Sequence, residues 1–211
     1  PALVLALVAA LSIGVLAATS KLSPATANVQ IRIADILYDD ADYRSAMRLY
    51  LRATDCEDPA VRDRARAGTI RAALRIAEFG MAATHLAALR TTAAKDPGLL
   101  TLAGDTLWAS GRFDEAESAY RDALSLDAGD ARARHGVAKS LASKSRLDAA
   151  LDEVQAALRT SPEDSDLLHT LGSIYERMHR FPEAASAYTT FLGFLKGSNR
   201  SDRTRWARSH I

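Results

Sequence analysis

The sequence lacks most of what marks an enzyme or a metalloprotein. A single cysteine, Cys56, among 211 residues leaves no intramolecular disulfide and no multi-cysteine metal site within one chain. No glycine-rich phosphate loop, His-Glu-x-x-His helix or nucleophile elbow occurs, so the residues offer no catalytic motif and call for no cofactor. Charge of one sign is missing too: 27 Lys plus Arg stand against 26 Asp plus Glu, and a formal charge of +1 gives no general electrostatic reason to expect nucleic acid. Aromatic residues amount to 6%, so any core must be built largely from aliphatic side chains.

What is there is alanine, arginine and leucine, with 48% hydrophobic residues, a composition suited to a packed all-helical core. The charges fall in blocks of alternating sign. Residues 26–60 sum to −3, 61–95 to +5 and 96–130 to −6. Residues 131–164 come to +1, 165–195 to −1 and 196–211 to +4.

Residues 1–20, PALVLALVAALSIGVLAATS, carry no charge. As a helix they would reach roughly 30 Å at about 1.5 Å per residue, the thickness of a bilayer core, and they are read as a single transmembrane anchor. The competing reading is a cleaved secretory leader, since Val15-Leu16-Ala17 and Ala25-Thr26-Ala27 both present small residues in the pattern a signal peptidase accepts. No cysteine follows the run, which excludes a lipidated amino terminus of the bacterial lipoprotein kind. Residues 21–26, KLSPAT, form a short linker.

Beyond the linker the chain repeats. Gly104, Leu107, Gly111, Phe113, Ala116, Tyr120 and Ala123 recur 34 residues later as Ala138, Leu141, Ser145, Leu147, Ala150, Val154 and Ala157. A second step of the same length gives Gly172, Tyr175, His179, Phe181, Ala184, Tyr188 and Phe191. Small residues recur where backbones must approach and large ones where space must be filled, the signature of a helix, a tight turn and a second helix. Working backwards, Ala34, Leu37, Tyr43, Ala46, Tyr50 and Ala53 show the same spacing. Residues 61–96 fit only as a unit of 36, with extra residues expected in its turn and a longer first helix.

On these residues, with GDTLWASGRFDEAESAYRDAL the best match, the chain resembles the tetratricopeptide repeat family over residues 27–195. The resemblance implies an all-α, right-handed superhelical solenoid of about five helix pairs, with repeats near 27–60, 61–96, 97–130, 131–164 and 165–195. The transmembrane helix would precede it. It also implies a concave groove lined by the first helix of each pair, where a protein partner binds. Carried onto this sequence, the groove positions are Asp35 and Tyr38; Arg62, Arg66 and Thr69; Asp105 and Trp108; Arg132, His135 and Lys139; and His169, Ser173, Glu176 and Arg177.

A subclass of the family clamps a terminal carboxylate with Lys, Arg and Asn. Here the Asn places hold Asp35, Thr69, Asp105, Lys139 and Ser173, so a receptor of that kind is not expected. His135 and His169 occupy equivalent places, but stacked repeats set them about 10 Å apart, too far to share an ion. Arg64, Arg71 and Arg75 share one helix face, read as solvated and paired with the acidic neighbouring repeat. The basic tail, with Arg200, Arg203, Arg205, Trp206 and Arg208, could begin a capping helix or meet lipid headgroups or an acidic protein.

The expectation is a non-catalytic scaffold or accessory subunit of a multi-subunit bacterial membrane complex. Its partners are protein subunits, with no nucleic acid or small-molecule substrate, and it sits at the inner membrane with the repeats in the periplasm. Two alternatives stand: a soluble periplasmic adaptor or chaperone, and a regulatory part of a longer enzyme.

Overall fold

The structure, a computed structural model, describes residues 21–89 and 95–197, with side chains up to 194. Ten helices are present among them. They are α1 (Pro24–Asp39), α2 (Tyr43–Ala53), α3 (Pro59–Arg75), α4 (Phe79–Ala88) and α5 (Pro97–Ala109). The rest are α6 (Phe113–Leu126), α7 (Ala131–Ser143), α8 (Leu147–Thr160), α9 (Ser165–Arg177) and α10 (Phe181–Gly197). They form five pairs, and the odd-numbered first helices touch one another in succession along the stack.

Local chemistry sets where these helices start. Every first helix opens on a side-chain cap, from Ser23, Asp58, Asp96, Asp130 or Asp164, that accepts from an amide of the first turn. Proline at the head of α1, α3 and α5 gives up an amide that no helix could have used.

The turn inside each pair is built the same way five times. Ala41, Ala77, Gly111, Ser145 and His179 have φ of 61°, 61°, 76°, 59° and 58°. The next amide then reaches five residues back: Asp42 to Leu37 at 2.8 Å, Glu78 to Ala73 at 2.9 Å, Arg112 to Leu107 at 2.9 Å, Arg146 to Leu141 at 3.0 Å and Arg180 to Tyr175 at 2.9 Å. This is a Schellman closure with a left-handed residue after the helix end. Only Gly111 adopts that conformation without a Cβ penalty, which costs the other four about 1–2 kcal/mol each.

The left-handed residues also give the true repeat. They lie 36, 34, 34 and 34 residues apart. The second pair is therefore the longer unit, as expected, but its turn is no longer than the others. The surplus lies in α3, which has 17 residues against 13 in α5, α7 and α9.

Pairs join through matched side chains. The Tyr50 ring on α2 lies where a Cβ on Gly68 of α3 would be, and Tyr120 on α6 fills the same space beside both Gly104 of α5 and Gly136 of α7. Tyr50 and Tyr120 are fully buried. Where the second helix carries Leu86 or Val154 instead, the matching place on the next first helix holds Leu102 or Thr170. The seams are thus filled by different pairs of side chains at one pair of places. The alternating charge blocks are bridged as well, by Asp35–Arg71 at 3.5 Å, Asp105–Arg132 at 2.8 Å and Lys144 with Asp114 and Glu117 at 2.6 and 2.8 Å. The first two pairs are well exposed, and each adds about 0–1 kcal/mol.

No helix among the described residues is long and apolar enough to cross a membrane. The anchor expected at residues 1–20 lies outside the described residues, as does the tail with Arg200, Arg203, Arg205, Trp206 and Arg208.

Two substitutions separate seam packing from backbone strain. Gly136→Ala should lower stability by about 1–3 kcal/mol, because its methyl overlaps the Tyr120 ring. Gly111→Ala, with open space around it, should lose only about 1–2 kcal/mol of backbone strain. Urea denaturation of both variants checks the order.

Candidate partner-binding groove

The turns give each first helix a common ruler. Counting back from the left-handed residue, the sixth place holds Asp35, Arg71, Asp105, Lys139 and Ser173, and the third holds Tyr38, Leu74, Trp108, Ala142 and Glu176. Both places in the second and third repeats, and Lys139 in the fourth, are turned towards a cleft of about 380 Å3. All of its walls come from first helices or their caps: Tyr38 from α1, Arg71, Leu74 and Arg75 from α3, Leu102, Asp105, Trp108 and Ala109 from α5. From α7 come Arg132, His135, Gly136 and Lys139, and from the start of α9 Asp164 and Asp166.

Of the groove residues expected from sequence, Tyr38, Asp105, Trp108, Arg132, His135 and Lys139 meet here. Asp35 lies just beneath, reached by Arg71 at 3.5 Å. Thr69 requires correction. It is eight places before Ala77, not six, is fully buried, and donates its hydroxyl to the Ala65 carbonyl at 3.0 Å. Arg71 takes the groove place instead. Arg62 and Arg66 are displaced by the same miscount: Arg62 reaches the Cys56 carbonyl at 3.4 Å, and Arg66 pairs with Asp63 at 2.9 Å.

In the fifth pair, His169, Ser173, Glu176 and Arg177 do not line the cleft. His169 packs against the Tyr188 and Phe191 rings at 5.8 and 5.5 Å, and Glu176 accepts from the Tyr188 hydroxyl at 3.1 Å. Arg177 reaches Ser145 at 3.5 Å.

Asp105, which lines the cleft, and Asp35 are each held by a tyrosine–carboxylate bond that the sequence reading missed. Tyr50 donates to Asp35, and Tyr120 donates to Asp105 at 2.8 Å, each pair 15 residues apart. Burial, followed for Tyr120 by the nearby Asp105 charge, holds that phenol above its ordinary value, so it stays a donor. Asp105 also accepts from Arg132 at 2.8 Å. The shared interval from Asp to Tyr in the first and third repeats was the available signal.

The cations of the cleft and its edge differ in how they are engaged. Arg71 lies 5.5 Å from the Tyr38 ring centre, and Arg75 lies 5.1 Å from that of Tyr43 while donating to its hydroxyl at 3.1 Å. Lys139 sits 5.3 Å from the Trp108 ring centre. Trp108 meets Phe113 edge-on at 4.7 Å, which fixes the indole's tilt while one side still lines the cleft.

His135 hydrogen-bonds Thr170 at 2.8 Å. Burial, reinforced by Lys139, pushes its pKa down to about 4, so it is a neutral wall residue. No cluster of three His, Cys, Asp or Glu able to hold a metal occurs among the described residues.

The architecture is that of a tetratricopeptide-type solenoid. Residues 101–165 match the family model described as tetratricopeptide repeat, and no curated protein matches. Among solved structures, TTC0263, a thermophilic TPR protein in Thermus thermophilus, is similar at 19% identity. The match covers 87% of this chain and 98% of that one, with a TM-score of 0.73. MamA 41-end from Desulfovibrio magneticus RS-1 follows at 16% identity, 82% and 97% coverage and a TM-score of 0.61. YrrB, described as a TPR protein with an unusual peptide-binding site, matches at 16% identity, 86% and 91% coverage and a TM-score of 0.54. At these identities the likeness is one of fold.

Because the folded pKa of His135 lies below the unfolded value of 6.5, the unfolded chain binds its proton first as pH falls. Its contribution to stability is complete above pH 6.5 and is lost as pH falls to about 4. Replacing His135 by Asn should flatten that part of the acid-stability curve, read as urea midpoints across the interval.

Proposed function

We propose that this chain is a non-catalytic interaction scaffold whose groove holds a segment of a partner protein. The observation that carries this reading is the Trp108–Lys139 pair, an aromatic face and a cation on one wall of a cleft made wholly from first helices and their caps. An aromatic anchor beside a positioned charge suits a peptide side chain and its flanking carboxylate. The signs are mixed, with Arg71, Arg75, Arg132 and Lys139 facing Asp105, Asp164 and Asp166, which favours a protein segment over a polyanion. The peptide-binding site ascribed to the fold neighbour YrrB supports the same use.

The finer reading is an accessory subunit of a multi-subunit membrane complex, tethered at the bacterial inner membrane by residues 1–20 with its repeats in the periplasm. What supports it is the uncharged 20-residue start. Tethering would raise the local concentration of a membrane partner, so a weak groove contact could still be saturated. A diffusible periplasmic adaptor with a removed leader is the alternative.

Gentle solubilisation of native membranes and affinity capture of the intact chain should recover protein subunits in near-equal amounts. Trp108→Ala and Lys139→Glu together should reduce that recovery at least about tenfold, the loss of one anchoring contact. Unchanged recovery by the double variant would exclude the groove as the binding surface. Recovery from the soluble fraction, lacking the first residues, would replace the tethered subunit by the adaptor.

A further inference from the structure

The charges that line the groove are not all balanced within the chain. Asp105 accepts from Arg132 and from the Tyr120 hydroxyl, each at 2.8 Å, and Arg71 lies 3.5 Å from Asp35. Asp164 turns one carboxylate oxygen to the first amides of α9, those of Asp166 at 2.9 Å and Leu167 at 3.1 Å. His135 is neutral and adds no charge. Three charged groups of the cleft remain: Arg75, Lys139 and Asp166. Among the described residues none of the three has an ion-pair partner.

Both cations are nevertheless held in place, by rings. Arg75 lies over Tyr43 and donates to its hydroxyl, and Lys139 lies over Trp108. A ring orients a cation but cancels none of its charge, so each is positioned and still lacks an anion. The order along the stack is Arg75 on α3, Trp108 on α5, Lys139 on α7 and Asp166 on α9. We propose that the groove takes an extended internal segment of a partner protein, with a large apolar residue flanked by acidic side chains and a basic one beyond. The apolar residue lies on the open side of Trp108, the acidic ones meet Arg75 and Lys139, and the basic one meets Asp166. This names the partner's chemistry at the groove and rests on the groove reading.

Complementary charge of this kind fixes register and rejects wrong partners. Counted back from the left-handed residue, the four side chains stand at places 2, 3, 6 and 13, so the row runs obliquely from the turns towards the capped helix ends. With packed helices about 8–10 Å apart and about 1.5 Å of rise per place, the row is about 30 Å long. An extended chain covers that in about ten residues at about 3.3 Å each. A lone terminal carboxylate would answer one cation and leave the other, and Asp166, unmatched. A uniformly acidic segment would meet Asp166 with like charge.

The probe is a library of random dodecapeptides, each fused at its carboxyl end to a carrier so that no terminal carboxylate is offered, selected on the intact chain. Enriched peptides should share a large apolar residue with Asp or Glu on both sides and Lys or Arg further on. One of them, labelled and followed by anisotropy, should bind at least about tenfold more weakly to Arg75→Glu with Lys139→Glu, where like charges meet. Replacing its acidic residues by Lys should restore binding to that double variant and abolish it with the parent chain. Arg44→Glu with Arg159→Glu, on α2 and α8 and outside the cleft, changes the net charge equally and should leave the affinity unaltered. Neutral or basic enriched peptides, or an acidic consensus indifferent to the groove double variant, overturn the proposal. The groove reading survives that result as long as Trp108→Ala weakens binding. Enrichment insensitive to Trp108→Ala, or no enrichment, overturns both.

Discussion

Everything in this molecule is measured from one hydrogen bond made five times, the amide after a left-handed residue reaching back five places to close the first helix of each pair. That closure fixes where the second helix begins and at what angle the chain leaves the first. Because the helices themselves are regular, every side chain's outlook is then set by its distance from the closure. In the second and third pairs places six and three before it meet the groove, while places 12, 8 and 5 of α3 and α7, Ala65, Thr69 and Ala72 and Ala133, Val137 and Ser140, are buried in the seam with the preceding pair. Four of the five positions hold Ala, Ser or His rather than glycine. The packing around them must therefore supply more than the backbone prefers.

Upon this frame the tyrosines connect the two layers. Tyr120 packs its ring against glycines of two successive first helices and sends its hydroxyl to Asp105, which holds Arg132 of the next pair. One side chain thus fills the seam, satisfies a groove carboxylate and fixes the orientation of a groove cation. The polar lining of the binding surface and the apolar seam beneath it are parts of a single contact. A change aimed at one would disturb the other.

The helix pairs were legible in the sequence because size, not identity, recurs at 34 residues, as with Gly104, Ala138 and Gly172. The one irregular step was harder. Residues 61–96 keep the turn constant and lengthen α3, and a count carried through the wrong place sent Thr69 to the groove when it belongs to the seam. The error of two residues matters because two steps along a helix turn a side chain through more than half a circle. Trp108 and Lys139 were found individually, but their mutual contact was not, since nothing in a spacing pattern reports how two side chains on successive helices lean. The tyrosine–carboxylate bonds escaped for the same reason, although the repeated interval from Asp35 to Tyr50 and from Asp105 to Tyr120 was there to be seen.

The unequal seams have an evolutionary reading. If five identical repeats had been retained, any could be duplicated, deleted or exchanged with little consequence. Here each second helix is cut for the helix that follows it: tyrosine for glycine, leucine for leucine, valine for threonine. Shuffling the units would set a tyrosine against Leu102 or leave Gly136 facing a void. The order of the pairs is thus written into the side chains that join them.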